Sequence, residues 1–456
     1  MPTSTPSPEI RERIHRLLLA VLLALAGVAL TLAYWGVVRG PAILAREDNP
    51  RLVEAELRIQ RGRIYDVRNV LLAETVGSGN SLVRHYPLPW IGPAVGYYSF
   101  RHGTAGIEAG LNAVLRGDSQ SAWEMNRREM FHEAQTGFDV RLTLNAAWQE
   151  QATALMGERQ GALVLLALPD AAIRAMVSLP GFDPNLLDEQ FDDLMADEQA
   201  PLLNRATQGQ YQPGMVLQPF LFAAALDQGL FQLDTHIIGL TRTVPVDGDS
   251  VTCTVPANVE STYLTALRYA CPAPTQRLDR RWDAAALQAV FASFALDTAP
   301  TLPFTIDLPP QLPPENLPLA LIGQENLTVT PLQVALALAA LANEGQPLTP
   351  QLVSAVQMES GAWEAYLSRP QHALPVAVSS AAADEVLHAL AMTNGLAGQG
   401  YAVLSGPEGS TNSWYMGVAP IANPRFVVVV VLEGEADDGV AAAIGETLLQ
   451  FLLTES

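Results

Sequence analysis

Hydropathy isolates one long apolar block near the start of the chain. Leu17 to Val38 are 22 consecutive uncharged, mostly apolar residues, about 33 Å as a helix and enough to cross a hydrocarbon layer of roughly 30 Å. Arg11, Arg13 and Arg16 precede the block, and Glu47, Asp48, Glu54 and Glu56 follow it. That asymmetry predicts a cytoplasmic tail over 1–16, a single-pass anchor over 17–38 and the rest of the chain outside. A cleaved signal peptide would have a shorter apolar region and a small-x-small site, and no clear site of that kind follows here.

Beyond the anchor the apolar spacing changes repeatedly. From Asn49 to Thr75 it reads as two short strands around an Arg-Gly turn, and Gly103 and Gly106 form turns ahead of a helix running from near Glu108 to about Gly117. Phe138 to Leu144 alternates, and Asn145 is placed to cap a helix over Ala146 to Met156. Gly161 to Leu168 and Ile173 to Ser178 predict the opening hairpin of a buried sheet, followed by an acidic surface crossing between Asp183 and Asn204. Val216, Leu217, Phe220, Leu221, Ala224 and Ala225 then recur with helical period, so Met215 sits where a Tyr-Gln-Pro-Gly turn becomes a helix. Gln218 is one turn further on, the i, i+3 spacing that places two side chains on one helix face. Thr298 to Pro318 holds seven prolines and predicts a loop, after which Thr330-Pro331 opens a helix that Asn343-Glu344-Gly345 closes. Tyr401 to Leu404, Ser413 to Val418 and Phe426 to Leu432 read as strands, followed by a helix over Val440 to Leu452.

Composition narrows what such a chain could do. With 456 residues, 49% of them hydrophobic, it is long enough for a large core and one or two smaller modules. A formal charge of −21 repels phosphate backbones and excludes nucleic acid as a partner. All 26 basic residues are Arg, so no side chain can act as a neutral amine base. Coding bias towards Arg accounts for the missing Lys in general, but it would leave Arg, not Gln, at position 218. Two cysteines, Cys253 and Cys271, rule out a four-Cys zinc site and leave open one bridge or two free thiols. The seven His are dispersed without metal-ligand spacing, so neither a metal nor a cofactor is expected.

Several motifs in register carry a family resemblance. Arg61, Gly62, Ile64 and Asp66 match RG-x-I-x-D. Gly96-Tyr97-Tyr98-Ser99 and Gly103 to Glu108 match GYxS…GxxGIE, and Met176 to Asn185 reads MVSLPGFDPN. Asn204-Arg205-Ala206, Tyr211 and Pro213-Gly214 lead into the apolar helix, while GQENLTVTPLQ and NSWYMGVAP follow downstream. Together these resemble class B penicillin-binding proteins, whose PG-S-x-x-K motif supplies an acylated Ser and its Lys partner. The resemblance implies an α+β transpeptidase fold, similar to serine β-lactamases, with an antiparallel sheet between helical layers. It also implies a pedestal or dimerisation-like module over 39–137 and a transpeptidase-like domain over 138–456. A cysteine pair occurs in some relatives, which implies a Cys253–Cys271 disulfide.

The match fails where the family's chemistry lies. Met215 stands at the Ser position and Gln218 at the Lys position. Ala270-Cys271-Pro272 replaces S-x-N, and Pro407-Glu408-Gly409-Ser410 replaces K-T-G-T after Ser405-Gly406. A thioether has no proton to lose and an amide is not basic near neutral pH. Pro407 carries no charge and no N–H, and Glu408 would repel a substrate carboxylate by about 4 kcal/mol at 4 Å and an effective dielectric of 20. Ser405, Ser410 and Ser413 are hydroxyls without a recognisable base. These changes predict a chain that is not an enzyme but a pseudoenzyme of the peptidoglycan D,D-transpeptidase family, a scaffold or regulatory partner in peptidoglycan synthesis or cell division. Two alternatives stay open: an active, penicillin-binding transpeptidase acting on stem peptides, and a noncovalent sensor of wall fragments. Expected partners are the membrane, wall-synthesis or division proteins, and peptidoglycan.

Overall fold

The fold is that of a computed structural model, which describes residues 8–39, 58–78, 81–118, 134–246, 248–309, 313–325, 327–368, 374–392, 394–405 and 410–455, with 123, 127, 130 and 131 standing alone. The sequence features between Asn49 and Leu57, with Pro407, Glu408 and Gly409, lie outside these residues. The chain forms two compact units, Met1–Ile59 with Gly77–Leu82, and Gln60–Val76 with Val83–Ser456. In the first, helix α1 (Pro8–Ala33) continues into a π-helical turn over Tyr34–Arg39. Its stretch His15–Ala33 has a mean hydropathy of 2.3 and is long and apolar enough to cross a membrane. The helix begins nine residues before the apolar block, because the Glu- and Arg-rich segment ahead of it is itself a good helix former, with Arg16 paired to Glu12 at i, i+4.

The second unit opens on a six-stranded sheet. In spatial order its strands are Trp363–Ala365, Val353–Gln357, Val140–Leu142, Ile64–Tyr65, Leu71–Val76 and Val83–His85. The turn between its first two strands in sequence is Asp66–Val70, not the Arg-Gly pair. Asp66 Oδ1 accepts from Arg68 N and Val70 N at 2.7 Å each, and its Oδ2 accepts from Ala146 N at 3.1 Å. Arg61 is instead a buried structural cation. Its Nη2 lies 2.9 Å from Glu108 Oε2, and Arg84 Nε lies 2.7 Å from Glu108 Oε1. Burial pushes the Glu108 carboxyl up, but the Arg84 and Arg61 guanidiniums outweigh it and hold the group below its ordinary range. Gly62 lies so close to the segment leading into Val140–Leu142 that a Cβ would come within 1.9 Å of Phe138 O. The expected single helix after Gly106 is two, Gly106–Gly110 and Asn112–Arg116, the second ending at Gly117 with φ +79°.

The centre of this unit is an antiparallel five-stranded sheet of β1 (Gly161–Ala167), β2 (Ala172–Leu179), β3 (Ala397–Leu404), β4 (Thr411–Ala419) and β5 (Phe426–Leu432), in the order β3-β4-β5-β1-β2. Strands β1 and β5 are apolar without interruption because both of their faces are covered. Val164, Leu166, Val427, Val429 and Val431 enter one core, while Leu163, Leu165, Val428 and Val430 enter the other. The first core takes the helices α3 (Gln218–Asp227) and α6 (Pro331–Ala342), and the second takes α2 (Ala146–Met156) and α7 (Asp438–Glu455). Asn145 caps α2 through its side chain, and Thr330 with Gln333 forms a capping box on α6. The acidic crossing after Asp183 contains a helix, Leu187–Ala196, whose Phe191 stacks on His102 at 3.8 Å.

One aromatic residue explains three glycines. The Tyr415 side chain lies where Cβ atoms on Gly398 and Gly417 would come within 2.5 and 2.2 Å of its hydroxyl and one on Gly445 within 2.1 Å of its ring. Its hydroxyl is buried and has no partner among the described residues, and burial together with Glu446 pushes it up from the ordinary phenol range.

Candidate functional site

Met215 is presented by a turn that its neighbours hold rigidly. Gly214 has φ +51°, and Gly323, facing it, has φ +64°. Gly214 N donates to Gly323 O at 3.1 Å, and a Cβ on Gly323 would come within 2.5 Å of Gly214 N. The conformation and the close approach both require glycine. Upstream, Tyr211 and Val329 exchange backbone bonds at 3.1 and 2.9 Å. Tyr211 OH donates to Glu433 Oε1 at 2.7 Å, and Arg205 Nε lies 2.8 Å from the same oxygen. Burial, then the Glu433 charge, push the Tyr211 phenol well up, so it stays a neutral donor. The Asn-Arg-Ala and Tyr motif residues are therefore the frame of the turn.

The expected helix start is a 3-10 turn over Gly214–Leu217 followed by α3, which Gln218 opens. The two side chains part there. Met215 is half-buried and faces a cleft, whereas Gln218 is wholly buried. Gln218 Nε2 donates to Thr275 Oγ1 at 2.7 Å and to Cys271 O at 3.0 Å, and its Oε1 has no partner among the described residues. Thr275 belongs to the helix α5 (Pro272–Gln276), which follows α4 (Tyr263–Arg268) after a turn at Ala270 with φ +49°. Cys271 is bonded to Cys253, with their Cα atoms 4.9 Å apart. Gln218 thus ties α3 to the disulfide-bearing segment.

The cleft above this floor measures about 740 Å³. Met215, Ala270, Pro272 and Cys253 line it together, with Ser250–Thr254 on one wall and Gln399–Leu404 of β3 on the other. Ser405 N donates to Ser410 O at 2.7 Å. Ser413 is turned towards α7: its Oγ donates to Asp437 O at 2.7 Å and accepts from Ala441 N at 3.4 Å. It is a structural hydroxyl, and it does not line the cleft.

Three features of the cleft had no counterpart in the sequence reading. One is the hairpin Val244–Val246 with Asp249–Val251, which the Asp247-Gly248 pair between alternating valines signals. A second is Gln324, whose Nε2 reaches Leu404 O at 3.4 Å. The third is the charge. Among the described lining residues the cation is Arg268 and the carboxylate is Asp438; one arginine next to the Ala270 position carries no signal of its own.

Residues 161–450 match the family model described as the penicillin binding protein transpeptidase domain, and 61–140 match the penicillin binding protein A dimerisation domain. The peptidoglycan D,D-transpeptidase PbpA of Mycolicibacterium smegmatis is 28% identical over 487 residues, covering 96% of this chain and 97% of the relative. PbpA of Mycobacterium tuberculosis strain H37Rv is 26% identical over 490 residues, covering 96% and 98%. The structure of penicillin-binding protein A from M. tuberculosis as an imipenem acyl-enzyme complex has a TM-score of 0.78 and 26% identity, covering 88% of this chain and 100% of that one.

These likenesses overturn one expectation. The side chains at the motif positions predict that the chain is not an enzyme, yet relatives matching nearly its whole length are named as D,D-transpeptidases, so this is an enzyme family. The expectation equated one set of side chains with the reactivity of a whole cleft, and 406–409 lie outside the described residues. With the transpeptidase match spanning 161–450 of its 456 residues, the chain belongs to the class B penicillin-binding proteins.

Proposed function

We propose that this protein works in peptidoglycan synthesis as a membrane-anchored protein whose cleft holds a wall peptide. In this reading residues 1–16 are cytoplasmic, 17–38 cross the membrane, 39–137 form a pedestal and 138–456 carry the cleft outside. The basic residues ahead of α1 and the acidic ones after it support that orientation. Met215 and Gln218 take the positions of the family's Ser and Lys, and Ala270, Pro272 and 407–410 take those of its other two motifs. One observation carries the reading: the frame of the turn is intact and the cleft beside it is open, while Gln218 is committed to α5 through two hydrogen bonds. A site kept open beside a structurally committed residue suits holding a peptide in place. Wall-synthesis or division proteins would read the occupied state.

The full chain in detergent micelles, titrated calorimetrically with a soluble wall pentapeptide, tests this. Saturable binding is expected, and no heat at millimolar peptide overturns it. A parallel incubation with fluorescent penicillin reads the alternative. A covalent band surviving denaturing electrophoresis would assign turnover to another hydroxyl of the cleft and make the role catalytic.

A further inference from the structure

β3 is the outer strand of its sheet, and its backbone parity can be worked out. Gly398 N donates away from β4, to Leu390 O at 3.0 Å, and Leu404 O accepts from Gln324 on the same side. Ser405 N, by contrast, bonds towards β4 at Ser410 O. In an antiparallel ladder alternate residues turn both backbone groups the same way, so Gly400 and Ala402 also direct N–H and C=O outward. Both line the cleft, and these groups have no partner among the described residues. The strand offers an extended peptide two rungs of pairing.

The charge beside that edge is placed at one end. Arg268 closes α4, and its Nε is held by Ala389 O at 3.0 Å while its own carbonyl accepts from Gln399 Nε2 at 3.2 Å. The remaining guanidinium nitrogens have no partner among the described residues, and Asp438, the cleft's described carboxylate, makes no ion pair with it. At the other end Val403 touches the Met215 turn, since a Cβ on Gly214 would come within 2.5 Å of Val403 Cγ1. From 399 to 403 is about 13 Å of strand. We propose that Arg268 is the specificity-determining residue of this cleft, selecting an extended peptide that carries a carboxylate three to four residues from the end lying at Met215. The proposal rests on the reading that the cleft holds a wall peptide, and it adds the chemistry by which one peptide is preferred. A planar guanidinium, fixed by Nε and open at its terminal nitrogens, matches a carboxylate in two-point geometry.

The test uses the full chain in micelles and two probes: a synthetic pentapeptide ending in D-Ala-D-Ala, with a neutral third residue and a free carboxylate on the second, and its carboxamide counterpart. The native chain is expected to bind the acid about threefold more tightly, the scale of one ion pair at an exposed site. Arg268→Gln should erase that ratio by weakening the acid alone, and Arg268→Lys should restore part of it. A merely structural role would instead lower the melting temperature and weaken both peptides equally. An undiminished ratio in Arg268→Gln, or equal binding of both peptides by the native chain, overturns the assignment while leaving the cleft reading standing. If neither peptide binds the native chain, both fail.

Discussion

Replacing Gln218 with Glu keeps the shape of the side chain and removes only its donor, so it isolates what that residue does. In the native chain Nε2 supplies bonds of 2.7 and 3.0 Å to Thr275 Oγ1 and Cys271 O at a position with no solvent exposure. Each such bond contributes about 1 kcal/mol net. An ionised carboxylate there would face the Cys271 carbonyl and would be buried without a counter-ion. Adding a desolvation penalty to the lost bonds gives a destabilisation of about 3 kcal/mol or more at pH 8. The cost depends on pH with a definite sign. Burial raises the folded-state pKa of a carboxyl at this position above its unfolded value of about 4.3. The folded state then holds the extra proton, and stability falls as pH rises from 4 towards the folded pKa. Below pH 4 the neutral acid can donate once, to Cys271 O, and most of the loss should be recovered. Urea unfolding of the full chain in micelles, followed by tryptophan emission at pH 4 and pH 8, reads both effects. A Gln218→Glu chain as stable as the native one at pH 8 would refute the tie between α3 and the disulfide-bearing segment.

Other perturbations have equally direct outcomes. Glu108→Gln leaves Arg61 and Arg84 buried without their counter-ion and should cost about 3–5 kcal/mol in the same unfolding assay. Because the Glu108 carboxyl is held below its ordinary range, its contribution should be fully present above about pH 4.3 and be lost as pH falls through the folded value. Tyr415→Phe removes a buried hydroxyl that lacks a partner and should be neutral or raise the melting temperature, whereas Gly417→Ala drives a methyl into the Tyr415 ring and should lower it. Ala402→Pro deletes one outward N–H of β3 without touching the β4 ladder; peptide affinity should fall severalfold with little change in unfolding. Ser413→Ala should cost about 1 kcal/mol through the lost bond to Asp437 O and leave peptide affinity unchanged.

How far the sequence could be read depended on whether a signal was local. Caps and apolar runs are local, so α2 starts after Asn145, α6 starts at Pro331, and β5 runs from Phe426 to Leu432 as the sequence predicts. The Arg61-Gly62 pair misled because glycine is read as a turn former, whereas here it admits the Phe138 carbonyl from a segment distant in sequence. The same limit applies at the cleft. The i, i+3 spacing of Met215 and Gln218 is plain from the sequence, but that Gln218 points down to Thr275 while Met215 faces outward is decided by the 3-10 turn that Gly214 and Gly323 impose. Arg268 acquires a role only beside Gln399, 131 residues later in the chain. The order of motifs identified the fold, yet the side chains at those motifs did not decide the class of function.

The most direct test of the account is where a wall peptide touches the protein. A pentapeptide carrying a photoreactive diazirine on its last residue, irradiated with the full chain in micelles and mapped by mass spectrometry, should mark Met215 and the Val403–Leu404 end of β3, with free peptide competing the adducts away. Adducts that resist competition, or that fall only outside the cleft, would contradict the claim that this cleft holds the peptide.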